Sequence, residues 1–192
     1  MRIIRFMALG ALLFVAACSP KQPWHATDIS GSMPELSFRM QRASDGAEVT
    51  AENYRGRAVL VYFGYTNCPD VCPTTLANLS DVVKRLGTDA DRVRVLFVSV
   101  DPNRDTLEVL RPYAHSFGPG FDGLRGSDNE IASLARRYRV AYSVKTKPSY
   151  SVMHTSAVFV FDDEGKARLV ATDTTDTAGL AEDLKRVVEG QE

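Results

Sequence analysis

Ala58-Val59-Leu60-Val61-Tyr62-Phe63-Gly64-Tyr65-Thr66-Asn67-Cys68-Pro69-Asp70-Val71-Cys72-Pro73-Thr74 passes from an unbroken apolar run, through a short polar link, to two thiols at the head of a helical pattern. The run Ala58–Tyr65 mixes β-branched, aliphatic and aromatic residues without polar alternation, as a strand covered on both faces does. Beyond the thiols, Leu76, Leu79, Val82, Val83 and Leu86 recur at helical spacing over Thr74–Leu86, and Gly87 is a stop signal. Val93–Val100 then supplies a second central strand. A strand, a helix and another strand point to an α/β fold.

Upstream, Leu36–Met40 and Ala47–Thr50 flank Ser44-Asp45-Gly46, a hairpin signal. Downstream, Asp105–Phe117 is helical in pattern, with Pro112 inside it, so a kink or an early break is expected. Ser127–Tyr138 opens with a capping box, Ser127-x-x-Glu130. Ser156–Phe161, the turn Asp162–Gly165 and Ala167–Ala171 read as a second hairpin, and Thr177–Glu189 as a closing helix. The expected order is hairpin, β-α-β-α-α, hairpin and helix, with helices on both faces of the sheet and right-handed crossovers. Ligands of such sheets gather at the carboxyl ends of the strands, where Cys68–Cys72 and Asp101-Pro102 should meet.

At 192 residues the chain holds one domain with a sizeable core. Its formal net charge of −1 and lack of a basic cluster argue against nucleic acid as a partner. Arg2 and Arg5 precede the short apolar run Phe6–Ala17, which suits a signal peptide better than a membrane span. That run ends in Val15-Ala16-Ala17-Cys18, resembling a bacterial lipobox, so Cys18 is the expected lipidation site. The expected organisation is a lipoprotein signal peptide over 1–17, a lipidated tether over 18–34 and a folded domain over 35–192. The protein would then be a monomer, anchored by lipid to a membrane and facing the periplasm. Ser19 does not reveal which membrane.

With Cys18 lipidated, Cys68 and Cys72 are the remaining thiols of the three in the chain. On a regular helix, positions i and i+4 hold Cβ atoms about 5–6 Å apart, whereas a relaxed disulfide wants roughly 3.5–4.5 Å. Such a turn suits two ligands of one metal, and a disulfide needs the turn to loosen, which Pro69 and Pro73 favour. A helix N-terminus also favours thiolate, the form that ligates metal or attacks a disulfide. Two thiolates call for a third donor, and the chain has three histidines. His25 lies in the tether and His115 on the Pro112 helix, where packing or surface roles are expected. His154 precedes a strand that belongs in the same sheet as Ala58–Tyr65. Two thiolates and an imidazole suit Cu(I), and also accept Cu(II) or zinc. Met153 should point away from His154 along an extended segment, and core packing is its expected role.

Tyr62-Phe63-Gly64-Tyr65-Thr66-Asn67-Cys68-Pro69-Asp70-Val71-Cys72-Pro73-Thr74-Thr75 closely resembles the signature of the Sco/SenC proteins. So do Val100-Asp101-Pro102-Asn103-Arg104-Asp105-Thr106 and the late His154 ahead of a strand. The resemblance implies a thioredoxin-like fold, a central mixed sheet flanked by helices, with an N-terminal β-hairpin. It also implies copper, as Cu(I) or Cu(II), bound by Cys68, Cys72 and His154 and delivered to the Cu(A) subunit of cytochrome c oxidase. Other periplasmic copper or thiol-redox proteins are further candidate partners. The family often has Asp before the metal histidine, where this chain has Met153. Asp70 is either a complement to the helix dipole or a docking group, and Asp101 either ends a strand or supports the site or a partner.

Two functions compete on the same thiols. One is a metallochaperone, which needs His154. The other is a thiol-disulfide reductase acting on the Cu(A) cysteines through a redox disulfide of Cys68 and Cys72, which does not. Oxidoreductases of the thioredoxin type usually carry two residues between their cysteines, and the third residue here leans toward metal. A peroxidase is disfavoured, because Tyr65 and Pro69 stand where the activating threonine of a peroxiredoxin would be.

Overall fold

The computed structural model describes residues 22–191. Cys18 and the rest of the expected signal peptide lie outside the described residues. The first elements are the two-residue strand β1 (Thr27–Asp28), the hairpin β2 (Arg39–Arg42) and β3 (Glu48–Thr50), and a 3-10 turn over Ala51–Tyr54. The central βαβ unit follows as β4 (Ala58–Gly64), α1 (Val71–Arg85) and β5 (Val93–Ser99). Then come α2 (Leu107–His115), β6 (Phe121–Arg125), α3 (Asp128–Arg137) and a hairpin of β7 (Tyr142–Lys145) and β8 (Ser151–His154). The chain closes with β9 (Val158–Phe161), β10 (Ala167–Ala171) and α4 (Thr177–Val188).

Eight strands form one mixed sheet in the order β1-β10-β9-β4-β5-β6-β2-β3. β4, β5 and β6 are parallel, and β9 joins β4 antiparallel with Tyr62 opposite Val158. The apolar run is decided by this central place: successive side chains leave opposite faces, and both faces are covered. Val59, Val61 and Phe63 join Ile131 and Leu134 of α3 and Tyr54 in one core. Leu60 and Tyr62 join Leu76, Leu79 and Val82 of α1, Leu110 of α2 and Leu184 of α4 in the other. Each fully buried aliphatic or aromatic side chain contributes about 1.5–3 kcal/mol, so these layers fix the position of the β4–α1 junction. The expected α/β class, the mixed sheet flanked by helices and the N-terminal hairpin are all present.

The capping box of α3 is formed, with Ser127 accepting from the Glu130 N–H and Glu130 accepting from the Ser127 N–H. Gly87 follows the last residue of the α1 turn at φ 59°, a left-handed position that suits glycine.

Several expectations need correction. α1 begins at Val71 rather than Thr74, because Pro73 falls in the first turn, where its missing N–H costs no helical bond. α2 runs through Pro112 to His115 instead of breaking there; the lost bond falls on exposed Glu108. β6 was absent from the expected order: only Phe121 and Leu124 mark it as apolar, and pairing with β5 makes it a strand. The β7–β8 hairpin was also absent from it. The stretch expected as a tether is docked wherever it is described. β1 pairs with β10, Ile29 enters the core, and the Arg186 guanidinium stacks 3.6 Å from the Trp24 ring. Buried Asp183 of α4 accepts the N–H groups of His25 at 3.1 Å and Ala26 at 2.7 Å.

Candidate metal centre

β4 ends at Gly64, and the chain turns over the end of the sheet into α1. A side chain at Gly64 would meet the Phe97 ring at 2.5 Å and the Cys72 sulfur at 3.0 Å, so glycine lets the first turn of α1 close onto the strand. Asp70 occupies the N-cap position without a capping hydrogen bond. The Cys68 sulfur caps the turn instead, accepting the Cys72 N–H at 3.3 Å. Cys68 is thus not on the helix, as the i,i+4 argument assumed, but in the turn that precedes it. Both cysteines are free thiols.

The two sulfurs differ electrostatically. Cys68 is half-buried, and burial alone would raise its pKa. The N–H groups of Cys72 and Asp70, with help from the Cys72 and Tyr65 side chains, outweigh burial and hold it below the ordinary thiol value. Cys72 is fully buried, and burial pushes its thiol up to about 12 against one backbone donor, the Tyr65 N–H.

His154 closes the set from the end of β8. Its Nε2 lies 3.2 Å from the Cys72 sulfur, and its Nδ1 lies 3.0 Å from the Thr155 carbonyl. A carbonyl only accepts, so Nδ1 carries the proton and Nε2 presents its lone pair to the Cys72 S–H. Burial lowers the pKa of His154, which keeps the ring neutral, and Tyr62 and Tyr65 each hold it edge-on at 5.9 Å.

The donor atoms of Cys68, Cys72 and His154 all lie within 4.8 Å of one another. An ion with bonds of about 2.0–2.3 Å can bridge donors up to roughly 4.6 Å apart, so the set fits one soft ion after a small contraction. It is the one such cluster of three donors among the described residues.

The aspartates have different places. Asp70 is exposed at the lip, where the Thr74 hydroxyl donates to it at 3.5 Å. Asp101 is fully buried and touches none of the three donors. It accepts from Arg104 Nε at 2.5 Å and from the Tyr150 hydroxyl, while the Arg104 guanidinium stacks 3.9 Å from the Tyr150 ring. Asp101 thereby ties the hairpin that carries His154 to the loop after β5. Sequence reasoning missed Asp105, whose buried carboxylate accepts the Thr66 N–H at 3.1 Å, the Thr66 hydroxyl at 2.6 Å and the Ser99 hydroxyl at 2.6 Å. It also missed the tyrosine rings around His154; their position at the carboxyl end of β4 was the available signal. Met153 points away from His154 as expected but is not in the core: it is 71% exposed. The outer face of a two-stranded hairpin meets solvent, and with Val71, 49% exposed, it leaves apolar groups beside two of the donors. His25 packs against α4 and His115 is exposed, and neither approaches the thiols.

Comparison with known proteins gives a consistent picture. A family profile described as SCO1/SenC matches residues 35–189. The SCO2-like protein of Rickettsia prowazekii is 33% identical over 176 residues, covering 86% of this chain and 86% of that protein. The chain spans about half the length of the bovine and mouse mitochondrial SCO2 homologues that it also matches, 44% and 53%. Among solved structures, Bradyrhizobium japonicum ScoI with copper bound is 36% identical with a TM-score of 0.71, over 79% of this chain and 98% of that one. BsSco, described with a disulfide switch and as a member of the Sco family of cytochrome c oxidase assembly proteins, is 28% identical with a TM-score of 0.65, over 80% and 93%.

Proposed function

The chain belongs to the SCO1/SenC family, and on that premise we propose that it binds copper through Cys68, Cys72 and His154 and delivers it to the Cu(A) subunit of cytochrome c oxidase. One observation carries the reading: two thiol sulfurs and an imidazole lone pair converge within 4.8 Å at the open end of the sheet. Copper is the cargo here, and the soft sulfurs with a neutral imidazole are donors that favour Cu(I). Cys72 would release to solvent the proton that faces His154 Nε2, and the sulfur and Nε2 of that contact would both be free to act as ligands. Cys68, held toward thiolate by the first turn, supplies the second sulfur. Exposed Val71 and Met153 and the Asp70 carboxylate border the mouth, where an oxidase subunit would dock. In the same reading Cys18 is lipidated, 1–17 is a signal peptide, and the domain faces the periplasm from a membrane.

A second reading is a thiol-disulfide reductase, favoured by the division of labour between the thiols. The Cys68 thiolate would attack a disulfide of the oxidase subunit, and Cys72 would resolve the mixed disulfide. That step leaves Cys68–Cys72 oxidised and the client dithiol reduced, with the Cys72 proton passing to a client sulfur. The relative BsSco, described with a disulfide switch, supports keeping this route.

Anaerobic Cu(I) titration of the reduced protein tests the site. One equivalent is expected to bind, and Cys68→Ala, Cys72→Ala and His154→Ala should each weaken it by more than about 100-fold. Undiminished binding in the His154 variant would leave a dithiol protein. A His154→Ala variant that loses copper yet fully supports oxidase assembly would exclude delivery in favour of reduction.

A further inference from the structure

Among the described residues, two tyrosine hydroxyls are buried and bonded to nothing, those of Tyr62 and Tyr113. An O–H donor left unpaired in a dry site is costly, and native proteins rarely leave one without a reason. Tyr62 has no exposed surface at all. It sits on β4 opposite Phe97 and Val158, two residues before Gly64, and its ring meets the His154 ring edge-on at 5.9 Å. Gly64, two residues on and on the same face of β4, would carry a Cβ 3.0 Å from the Cys72 sulfur, and that sulfur lies 3.2 Å from Nε2 of the His154 ring that Tyr62 meets, so Tyr62 is a neighbour of the Cys72 side chain.

The two sulfurs are unequally supplied with donors. The Cys68 sulfur accepts the Cys72 N–H at 3.3 Å, whereas the hydrogen-bond contact of the Cys72 sulfur is the one to His154 Nε2 at 3.2 Å. While Cys72 is a thiol its proton faces His154 Nε2, and it needs no further donor. Once it becomes a ligand its sulfur carries negative charge with no exposed surface, and a hydrogen-bond donor to it is then missing. The unpaired hydroxyl of Tyr62 belongs to the ring that neighbours that sulfur and the His154 imidazole.

We infer that Tyr62 is a positioning residue of the metal site, whose hydroxyl donates to the Cys72 sulfur once that sulfur has shifted to bind copper. This rests on the copper-binding reading above. The hydroxyl that is unsatisfied without metal is satisfied with it, so the site is built for its loaded state. A donated hydrogen bond also draws charge from the sulfur, which sets how strongly Cys72 interacts with the metal. Tyr113 provides an internal control. Its hydroxyl is equally unpaired, but its ring packs against Phe97 and Phe117.

The test compares wild type, Tyr62→Phe and Tyr113→Phe. Each substitution removes one unpaired hydroxyl, so neither should lower the melting temperature of the metal-free protein. In anaerobic Cu(I) competition, Tyr62→Phe should lose roughly 10–100-fold in affinity, the usual cost of losing a partner of a metal ligand. The thiolate-to-copper charge-transfer band of its Cu(II) form should move to longer wavelength. Tyr113→Phe should leave affinity and band within twofold and a few nanometres, roughly, of wild type. Wild-type affinity in Tyr62→Phe, an equal loss in Tyr113→Phe, or a metal-free Tyr62→Phe that melts well below wild type would each overturn the inference. Failure of wild type to take up copper would overturn the functional reading itself, which the wild-type titration reports separately.

Discussion

Cys68 and Cys72 hang from the junction of β4 and α1, in the middle of an eight-stranded sheet whose central strands are covered on both faces. His154 ends a two-stranded hairpin that belongs to no larger sheet and is half-buried at best. The thiols are placed by the core, Cys72 from inside it and Cys68 from the turn packed on it, so they move little without disturbing it. The imidazole is placed by a few contacts: the Tyr150 hydroxyl on Asp101, Arg104 over the Tyr150 ring, and the Thr155 N–H on the Ala141 carbonyl at 2.9 Å. An isolated two-stranded hairpin is marginal in water. Damage to the thiol half should therefore appear first as lost stability, and damage to the imidazole half as lost affinity at nearly unchanged stability.

Asp105→Ala tests the thiol half hardest. It strands the Thr66 N–H and the hydroxyls of Thr66 and Ser99, and should cost about 3 kcal/mol at roughly 1 kcal/mol per stranded donor. For a chain of this size that is about 6–12 °C in melting temperature, read by calorimetry. A loss below about 1 kcal/mol would show that the link before Cys68 is less fixed than its contacts suggest.

Next in size is pH. The Cys72 thiol keeps its proton up to about 12, so copper must displace it, and affinity should rise with pH. The expected gain is up to about tenfold per pH unit per proton displaced, or about 2.7 kcal/mol between pH 7 and 9. His154, its pKa lowered from 6.5 by burial, is already neutral there and adds no slope. A His154→Ala variant whose residual binding loses the pH dependence would break this assignment of the proton to the thiol half.

Gly64→Ala should cost about 1–3 kcal/mol, the usual range for overpacking. Because the new methyl meets both Phe97 and the Cys72 sulfur, copper affinity should fall with stability. Stability lost without affinity would separate the strand from the site. Tyr150→Phe is the smallest and the sharpest. Removing its bond to Asp101 should change the melting temperature by less than about 3 °C. It should still lower copper affinity up to about tenfold, because the hairpin then holds His154 less firmly. Equal losses in both would erase the contrast between the halves.

The same contrast governs what the sequence reveals. β4 and β5 were legible because burial on both faces writes itself as a continuous apolar run, and α1, α3 and α4 because one apolar stripe recurs at helical spacing. Cys68, Cys72 and His154 were legible as candidate donors by their chemistry, with the family resemblance joining residues far apart in the chain. β7 and β8 escaped because their outer face is solvent and their residues are mixed, and Met153 was misplaced for that reason. β6 has two apolar residues and a glycine, and β1 is two residues whose partner lies near the other end of the chain. Asp105, Tyr62 and Tyr150 act through three-dimensional neighbours, which no periodicity encodes.

The docked N-terminal stretch gives the domain a front and a back. Arg186 of α4 holds the carbonyls of Gln22 and Pro23 at 3.0 and 3.3 Å, and the carbonyl of Val188, the last residue of α4, accepts from Arg92, just before β5. The parallel strands β4 and β5 start at that end and finish at the donors. A chain arriving at Gln22 therefore enters from the rear. The full depth of the sheet therefore separates Gln22 from the two thiols and the imidazole.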